Sequence, residues 1–230
     1  FVGVGVPTIS PDGAWIAYNR TVNGAEDIFV ARVDGTRERN LVATDGRDAQ
    51  PVWSPDGKSL AFCTTVSGKW EVAIADVTSG AWKFVTQDGT VNFEPTWHPS
   101  GSRLIFTSKR TGKQKLWSVG VNGEDLRQLT YGNWDDTGGR YSANGRFVAY
   151  SATKRLKYDV WLLDLATGDT RVLTSDESLD GGEVRFSRDS KFLLMSTTFN
   201  GQKNIGRIDL DTGGTRLLGV SPDSVWPATR

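Results

Sequence analysis

The 230-residue sequence contains little of the side-chain chemistry that most enzymes use. It has one cysteine, Cys63, and one histidine, His98. A single cysteine excludes an intrachain disulfide, and a single histidine leaves the chain short of the usual ligands of a transition-metal site. A Ser-His-Asp triad would have to use His98, and no G-x-S-x-G sequence supplies a nucleophilic serine. We therefore expect no catalytic residue, no metal site and no cofactor.

The chain also lacks an excess of charge and any long apolar run. Its 27 basic residues balance its 27 acidic residues, which gives no bulk attraction to nucleic acid. No run of about eighteen apolar residues occurs, so we predict no transmembrane helix and no membrane insertion. Apolar residues nowhere follow a helical period over a useful length, which favours an all-β chain.

An internal repeat is the strongest signal that the sequence does contain. Turn sequences of four residues begin at positions 10, 54, 98, 142 and 187, at intervals of 44 or 45 residues. The second copy reads Ser54-Pro55-Asp56-Gly57, in which Pro presets φ, Asp caps the turn and Gly takes a positive φ. His98 stands where the first two copies have Ser. We interpret it as a turn residue that accepts a local hydrogen bond, in preference to a ligand or general base.

Each repeat predicts four antiparallel strands. A short strand ends in an apolar or aromatic residue such as Trp53, the turn follows, and a second strand alternates apolar and polar residues, as in Ser59 to Phe62. Two further strands flank a Gly turn led by Asp or Asn. Four-stranded units repeated radially are typical of a β-propeller. We predict one all-β domain over residues 1–230, with repeats at about 1–43, 44–87, 88–131, 132–175 and 176–219. Residues 220–230 would close a five-bladed ring or begin a sixth blade.

The repeat resembles that of the TolB-like propeller family, written x-P-x-W-S-P-D-G-x-x-[IL]-A-[FY]. Residues 50–62 read QPVWSPDGKSLAF. The match is strong in the first three repeats and weaker in the last two, where Pro is absent from the turn. The resemblance implies a propeller whose function lies in its loops. The resemblance therefore implies one of three kinds of protein found in this family. These are periplasmic or secreted bacterial interaction proteins, propeller domains of serine peptidases and some polysaccharide-degrading enzymes.

Polar residues cluster where a propeller has its central funnel, on the first strand of each repeat and the loop before it. Paired carboxylates there, about 5 to 10 Å apart, would suit a glycoside hydrolase, and they would also suit calcium or another hard cation. The alternative is that polar groups fill a water-filled channel. The candidate binding residues are Asp48, Gln50, Asn92, Glu94, Trp134, Asp135, Asp136, Asp180 and Glu183.

The loops that follow the second strands of the third and fourth repeats are basic, whereas the loops that follow the fourth strands are acidic. A meander brings both kinds of loop to one face, so we predict that a protein or peptide partner docks there. Loop residues Trp70 and Trp134 would suit a binding hot spot or stacking on a sugar. A carbohydrate-binding or carbohydrate-degrading propeller and a propeller domain of a larger serine peptidase are the alternative interpretations. The basic arc comprises Lys109, Arg110, Lys113, Lys115, Lys154, Arg155 and Lys157.

Overall fold

The computed structural model describes residues 7–154, 157–174, 180–199 and 202–218. In these ranges the chain forms strands and turns and contains no helix. The strands assemble into five sheets, each with four strands in sequence order. Every one of these sheets is therefore a meander. The predicted strand at 220–230 lies outside the described residues.

The strands occupy equivalent positions in the five repeats. The first sheet contains β1 (Thr8–Ile9), β2 (Trp15–Val22), β3 (Ala25–Arg32) and β4 (Arg39–Val42). The second contains β5 (Asp48–Trp53), β6 (Ser59–Thr64), β7 (Glu71–Asp76) and β8 (Trp82–Phe84). The third contains β9 (Asn92–Trp97), β10 (Arg103–Ser108), β11 (Lys115–Gly120) and β12 (Arg127–Gln128). The fourth contains β13 (Asp135–Tyr141), β14 (Phe147–Lys154), β15 (Lys157–Asp164) and β16 (Thr170–Val172). The fifth contains β17 (Asp180–Phe186), β18 (Phe192–Phe199), β19 (Gln202–Asp209) and β20 (Thr215–Leu217).

The predicted all-β fold of four-stranded antiparallel blades is confirmed, and each sheet falls within one predicted repeat. The described residues form two compact units. The first unit comprises residues 7–112 and 116–128, and the second comprises residues 113–115 together with the described residues from 129 onward. That the whole chain folds as one domain stays a prediction.

The turn between the first and second strands is built as the sequence predicts. Ser54 Oγ donates to Asp56 Oδ1 at 2.6 Å and accepts from Ser59 N at 2.9 Å, and Gly57 has a φ of +70°. In the third sheet, His98 Nδ1 accepts a hydrogen bond from Ser100 N at 3.1 Å. This contact is the local turn role that we predicted for the histidine.

Packing between neighbouring sheets buries the middle strands on both faces. Residues 60–64 of β6 are all buried, so β6 does not present an apolar face to the core and a polar face to solvent. The alternation expected at Ser59 to Phe62 is instead one of large and small apolar residues. Phe62 packs into the core shared by the first and second sheets. Its neighbour Ala61 packs into the core shared by the second and third.

A tryptophan hydrogen bond repeats between adjacent sheets of the first unit. Trp53 Nε1 donates to Thr8 O at 3.1 Å, and Trp97 Nε1 donates to Val52 O at 3.0 Å. Both tryptophans end a first strand, and both acceptors lie on the first strand of the preceding sheet. The aromatic residue before the turn therefore fills the core and also links one sheet to the next.

The hydrogen bonds of the turn aspartates should make the free energy of unfolding fall measurably in acid. Hydrogen bonds from Ser10, Ser54 and Ser187 hold the pKa values of Asp12, Asp56 and Asp189 below their usual range. A carboxylate with a lowered folded-state pKa contributes stability above its unfolded pKa, and this contribution disappears as pH falls through the folded pKa. We expect the triple variant Asp12→Asn/Asp56→Asn/Asp189→Asn to lose less stability between pH 6 and pH 3 than the wild type.

The fourth sheet supplies the precedent for this substitution. Asn144 Oδ1 accepts from Ser142 Oγ at 2.7 Å and from Arg146 N at 3.0 Å, so asparagine satisfies the same turn. The free energy of unfolding is measured at several pH values by urea denaturation, with tryptophan fluorescence as the signal. Asp45→Asn, which changes an exposed carboxylate, is the control. An acid slope identical in the triple variant and the wild type would show that the turn carboxylates do not carry the effect.

Candidate functional site

The meander gives each sheet two distinct ends. At the turn end, the Ser-Pro-Asp-Gly-type turn joins the first strand to the second, and a Gly turn joins the third to the fourth. At the loop end, one loop joins the second strand to the third, and another leads from the fourth strand into the next sheet. Most of the predicted binding residues belong to the loop end or to the first strands that begin there.

Three of the predicted funnel residues are fully buried and have hydrogen-bond partners within the fold. Asp48, Asn92 and Asp136 each have a relative exposure of 0%. Asp48 accepts from Thr44 N and from Thr44 Oγ1, both at 2.9 Å. Burial raises the pKa of Asp48 despite these bonds. These three residues hold the start of a first strand in place, and their side chains do not face solvent.

The Asn92 amide belongs to a buried network in the first unit. Asn92 Nδ2 donates to Glu71 Oε2 at 2.8 Å, and Thr86 Oγ1 donates to the same oxygen at 2.6 Å. The other carboxylate oxygen of Glu71 accepts from Gly89 N at 3.0 Å. A buried carboxylate is tolerated here because hydrogen bonds satisfy both of its oxygens. The network ties the loop before β9 to the third strand of the preceding sheet.

The corresponding network in the second unit contains an ion pair. Lys115 Nζ lies 2.7 Å from Asp136 Oδ2, and the two side chains are 2% and 1% exposed. The same ammonium donates to Tyr131 O at 3.3 Å and lies 5.3 Å from the centroid of the Trp134 ring. Burial raises the pKa of Asp136, and the hydrogen bond from Lys115 opposes this shift. Lys115, a member of the predicted basic arc, therefore contributes no exposed charge to it.

Gln50 and Glu94 occupy a strained position on the first strands. Both have a positive φ, +56° and +57°, at a point where the strand register shifts. Gln50 Oε1 accepts from Glu94 N at 2.9 Å, and Glu94 Oε2 accepts from Thr107 Oγ1 at 3.0 Å. Left-handed φ is uncommon for residues other than glycine. Gly138, at the equivalent position of the fourth sheet, also has a positive φ, so this conformation accompanies the register shift of the first strand. Gln50 is exposed and Glu94 is half-buried, so ligands can reach this position.

An exposed cation and an aromatic ring meet at the loop end of the first unit. Arg47, with a side chain 65% exposed, pairs with Glu26 at 2.8 Å. Its guanidinium lies 5.4 Å from the centroid of the half-buried Trp70 ring. Arg47 N donates to Thr65 Oγ1 at 2.8 Å, which fixes the loop. We call Glu26, Arg47 and Trp70 the Arg47 patch. Trp70 was predicted from the sequence, whereas Arg47 was not, because its loop was counted as acidic.

The rest of the predicted basic arc divides by environment. Lys109 and Lys113 are exposed. Arg110 pairs with Asp88 at 2.7 Å and stacks 4.5 Å from the Trp117 ring centroid. The side chains of Lys154 and Lys157, together with Arg155, lie outside the described residues, as does the side chain of Asp180.

Asp135, Trp134 and Glu183 are the remaining predicted residues, and all three are half-buried. Asp135 Oδ1 accepts from Gln114 N at 2.8 Å. Glu183 Oε1 lies 3.1 Å from Arg140 Nη2 and also contacts Arg185 Nη2. Sequence analysis did not single out these two arginines. The repeat pattern shows that both stand just before the last residue of a first strand, but it does not show their shared contact with Glu183.

Metal-ligating clusters and reactive thiols are scarce in the described part of the chain. No group of three or more His, Cys, Asp and Glu residues there could hold a metal ion. Burial raises the pKa of the Cys63 thiol, which opposes formation of the reactive thiolate. No helix among the described residues has the length and apolar character needed to cross a membrane. The exposed groups offer charge, hydrogen bonds and aromatic contact.

This architecture defines the class of the protein as a β-propeller, built from four-stranded antiparallel blades. Residues 4–218 match the family described as the TolB beta propeller domain. The chain belongs to this family. A search of curated proteins found no match.

Solved structures share the fold. TolB from Acinetobacter baumannii aligns with a TM-score of 0.77 and 24% identity, over 93% of this chain and 53% of that one. A protein assigned as TolB from Agrobacterium tumefaciens aligns with a TM-score of 0.67 and 27% identity, over 72% of this chain and 63% of that one. A puromycin-hydrolysing peptidase from Mycobacterium tuberculosis aligns with a TM-score of 0.77 and 20% identity, over 94% of this chain and 38% of that one. The chain thus spans about half to two thirds of the TolB chains that it matches.

The buried ion pair gives a direct test of the loop-end architecture in the second unit. Removing Lys115 leaves Asp136 buried without its counter-charge, which costs about 3–5 kcal/mol in comparable pairs. We expect Lys115→Met to lower the free energy of unfolding by an amount in this range, as measured by urea denaturation. Lys109→Met makes the same change at an exposed site and should shift stability by no more than about 0.5 kcal/mol. Equal effects for the two variants would contradict the buried pairing.

Proposed function

We propose that this chain is a non-catalytic propeller scaffold that binds a protein or peptide partner through its loop end. We further propose that it works in the periplasm of a bacterium or outside the cell. The observation that carries the first proposal is the Arg47 patch, in which a well-exposed guanidinium lies 5.4 Å from the ring centroid of a half-buried tryptophan. Trp and Arg are the residue types most enriched among binding hot spots.

The surroundings of the Arg47 patch also suit a protein partner. The loop that carries Arg47 is held by backbone hydrogen bonds to Thr65, so little order must be gained on binding. The second loop-end cation, Arg110, is held by Asp88 and rests on an aromatic ring. Both charges are thus positioned before a partner arrives. Their partial exposure makes association sensitive to salt, as expected of electrostatically steered docking.

The proposed location agrees with membership of the TolB family and with the similarity to TolB structures. Carbohydrate binding or hydrolysis through Glu94 and Glu183 stays a prediction. Both carboxylates have partners within the protein, Thr107 for Glu94 and two arginines for Glu183.

A second candidate function is a propeller domain of a larger serine peptidase. The similarity to the mycobacterial peptidase, of which this chain covers 38%, is the observation that favours it. Sequencing the gene on both sides of the region that encodes these residues tests this candidate. A hydrolase domain with its own Ser, His and Asp would support it, and the absence of such a domain would remove it.

The scaffold function predicts that partner capture depends on the Arg47 patch. The wild-type chain is immobilised and used to capture proteins from an extract of the source cells, with identification by mass spectrometry. We expect Arg47→Ala/Trp70→Ala to weaken capture of a defined partner at least tenfold, because each hot-spot residue contributes about 2 kcal/mol or more.

The control variant changes two exposed side chains at the turn end of the first unit. Lys58→Ala/Val33→Ala removes one exposed cation and truncates one exposed apolar side chain. We expect this variant to capture the partner as the wild type does, and urea midpoints confirm that both variants are folded. Undiminished capture by Arg47→Ala/Trp70→Ala, or an equal loss in both variants, would contradict docking at the loop end.

A further inference from the structure

Two arginines occupy equivalent positions on adjacent first strands of the second unit. Arg140 lies on β13 and Arg185 lies on β17, each just before the aromatic residue that ends its strand. The equivalent residues of the first unit are Thr8, Val52 and Thr96, which are uncharged. Because the same strand position is apolar or neutral elsewhere, the fold itself does not require a cation there.

Both guanidinium groups converge on one carboxylate oxygen. Arg140 Nη2 lies 3.1 Å from Glu183 Oε1, and Arg185 Nη2 contacts the same atom. Each arginine also binds the carbonyl of the residue before it. Arg140 Nη1 donates to Gly139 O, and Arg185 Nη1 donates to Val184 O, both at 3.0 Å. The two side chains are thus held in matching orientations along their own strands.

The strand order leaves this pair at the edges of the sheets. β13 is an edge strand of its sheet, and β17 is an edge strand of the next sheet. The side chains of Arg140, Glu183 and Arg185 are 19%, 24% and 32% exposed. A ligand entering from solvent can therefore reach all three.

Arg140 and Arg185 place two like charges close together in a partly buried environment. Burial and the neighbouring charge of Arg140 lower the pKa of Arg185 to about 10, and the attraction of Glu183 does not offset them. At neutral pH Arg185 therefore remains protonated, and its guanidinium lies beside a second cation, Arg140. A carboxylate brought to this position would be attracted to both guanidinium groups, in an environment where such bonds are stronger than in water.

We propose that Arg140 and Arg185 form a receptor for an acidic side chain of a bound peptide, in which Glu183 is an internal carboxylate that competes with the ligand. The planar guanidinium fork matches a carboxylate, and two forks at one place give selectivity for this group over an amide. The peptide is favoured as the source because edge strands offer backbone groups with which an extended peptide can pair. This inference rests on the proposed function and assigns the partner an acidic residue.

The test uses two synthetic peptides and the whole chain. The acidic probe is acetyl-Gly-Glu-Gly-Glu-Gly-amide, and the neutral probe has Gln in place of both Glu residues. Binding is followed by NMR titration of the arginine side-chain signals. We expect the acidic peptide to bind at least tenfold more tightly than the neutral one. Arg140→Gln and Arg185→Gln should each weaken binding of the acidic peptide tenfold or more, and 0.5 M salt should weaken it as well.

Glu183→Gln distinguishes a ligand receptor from a purely structural link. If Glu183 competes with the ligand, its neutralisation should tighten binding of the acidic peptide by roughly tenfold, since a competing charge-assisted hydrogen bond is removed. If the three residues only tie β13 to β17, this variant should not improve binding. Arg188→Gln, at an exposed site on the turn after β17, is the control and should leave affinity unchanged. Urea midpoints establish that each variant is folded. If Arg185→Gln does not fold, Arg185→Lys supplies a milder change at the same position.

Each result bears on the proposal. No detectable binding of the acidic peptide, equal binding of the two peptides, or unchanged or weaker binding in Glu183→Gln would overturn it. Trigalacturonate is a second probe, because it presents carboxylates on a sugar chain and not on a peptide. Tighter binding of trigalacturonate than of the acidic peptide would overturn the assignment to a peptide. The Arg47→Ala/Trp70→Ala variant should bind the acidic peptide as the wild type does. Failure of this receptor is therefore separable from failure of loop-end capture, because the peptide assay needs no captured partner.

Discussion

The structure depends on the mutual burial of neighbouring sheets. A four-stranded sheet has two faces, and the middle strands described here are too apolar to leave either face in water. Ala61 and Phe62 are adjacent on β6, yet one packs against the third sheet and the other against the first. Each sheet of the first unit therefore completes the core of its neighbour, as repeat architectures require. Because the sheet faces are used in this way, side chains that contact partners must lie at strand ends and on edge strands.

The polar groups between blades are constrained by the same packing. Glu71 and Lys115 stand 44 positions apart and are both fully buried, although they carry opposite charges. Each finds its partner at the start of a first strand, Asn92 for Glu71 and Asp136 for Lys115. In both places the buried charge has a hydrogen-bond partner, and the architecture does not specify the sign of that charge. Different repeats therefore solve one structural problem with different residues, while the exposed loop residues remain free to vary with function.

Much of the fold was predictable because its signals are local. The turn at Ser54 to Gly57 follows from the φ preferences of Pro and Gly and the capping of Asp56, which neighbouring residues supply. The role of His98 followed from its place in the equivalent turn of the third repeat. The candidate site was predicted less well. Asp48, Asn92 and Asp136 were predicted as funnel residues, but their burial depends on loops and strands from elsewhere in the chain. Arg140 was missed because its significance lies in a contact with Glu183, 43 residues away.

The sequence by itself determined the repeat length, the turns, the four strands of each unit and the propeller class, since all of these arise from short-range backbone preferences repeated along the chain. Only the tertiary structure decided which polar side chains are buried supports and which are accessible to a ligand. It made Lys115 a buried partner of Asp136, placed Arg47 beside Trp70, and brought two arginines to one carboxylate. The physical reason is that burial and charge pairing depend on atoms contributed by distant residues, which only folding brings within a few ångströms of one another.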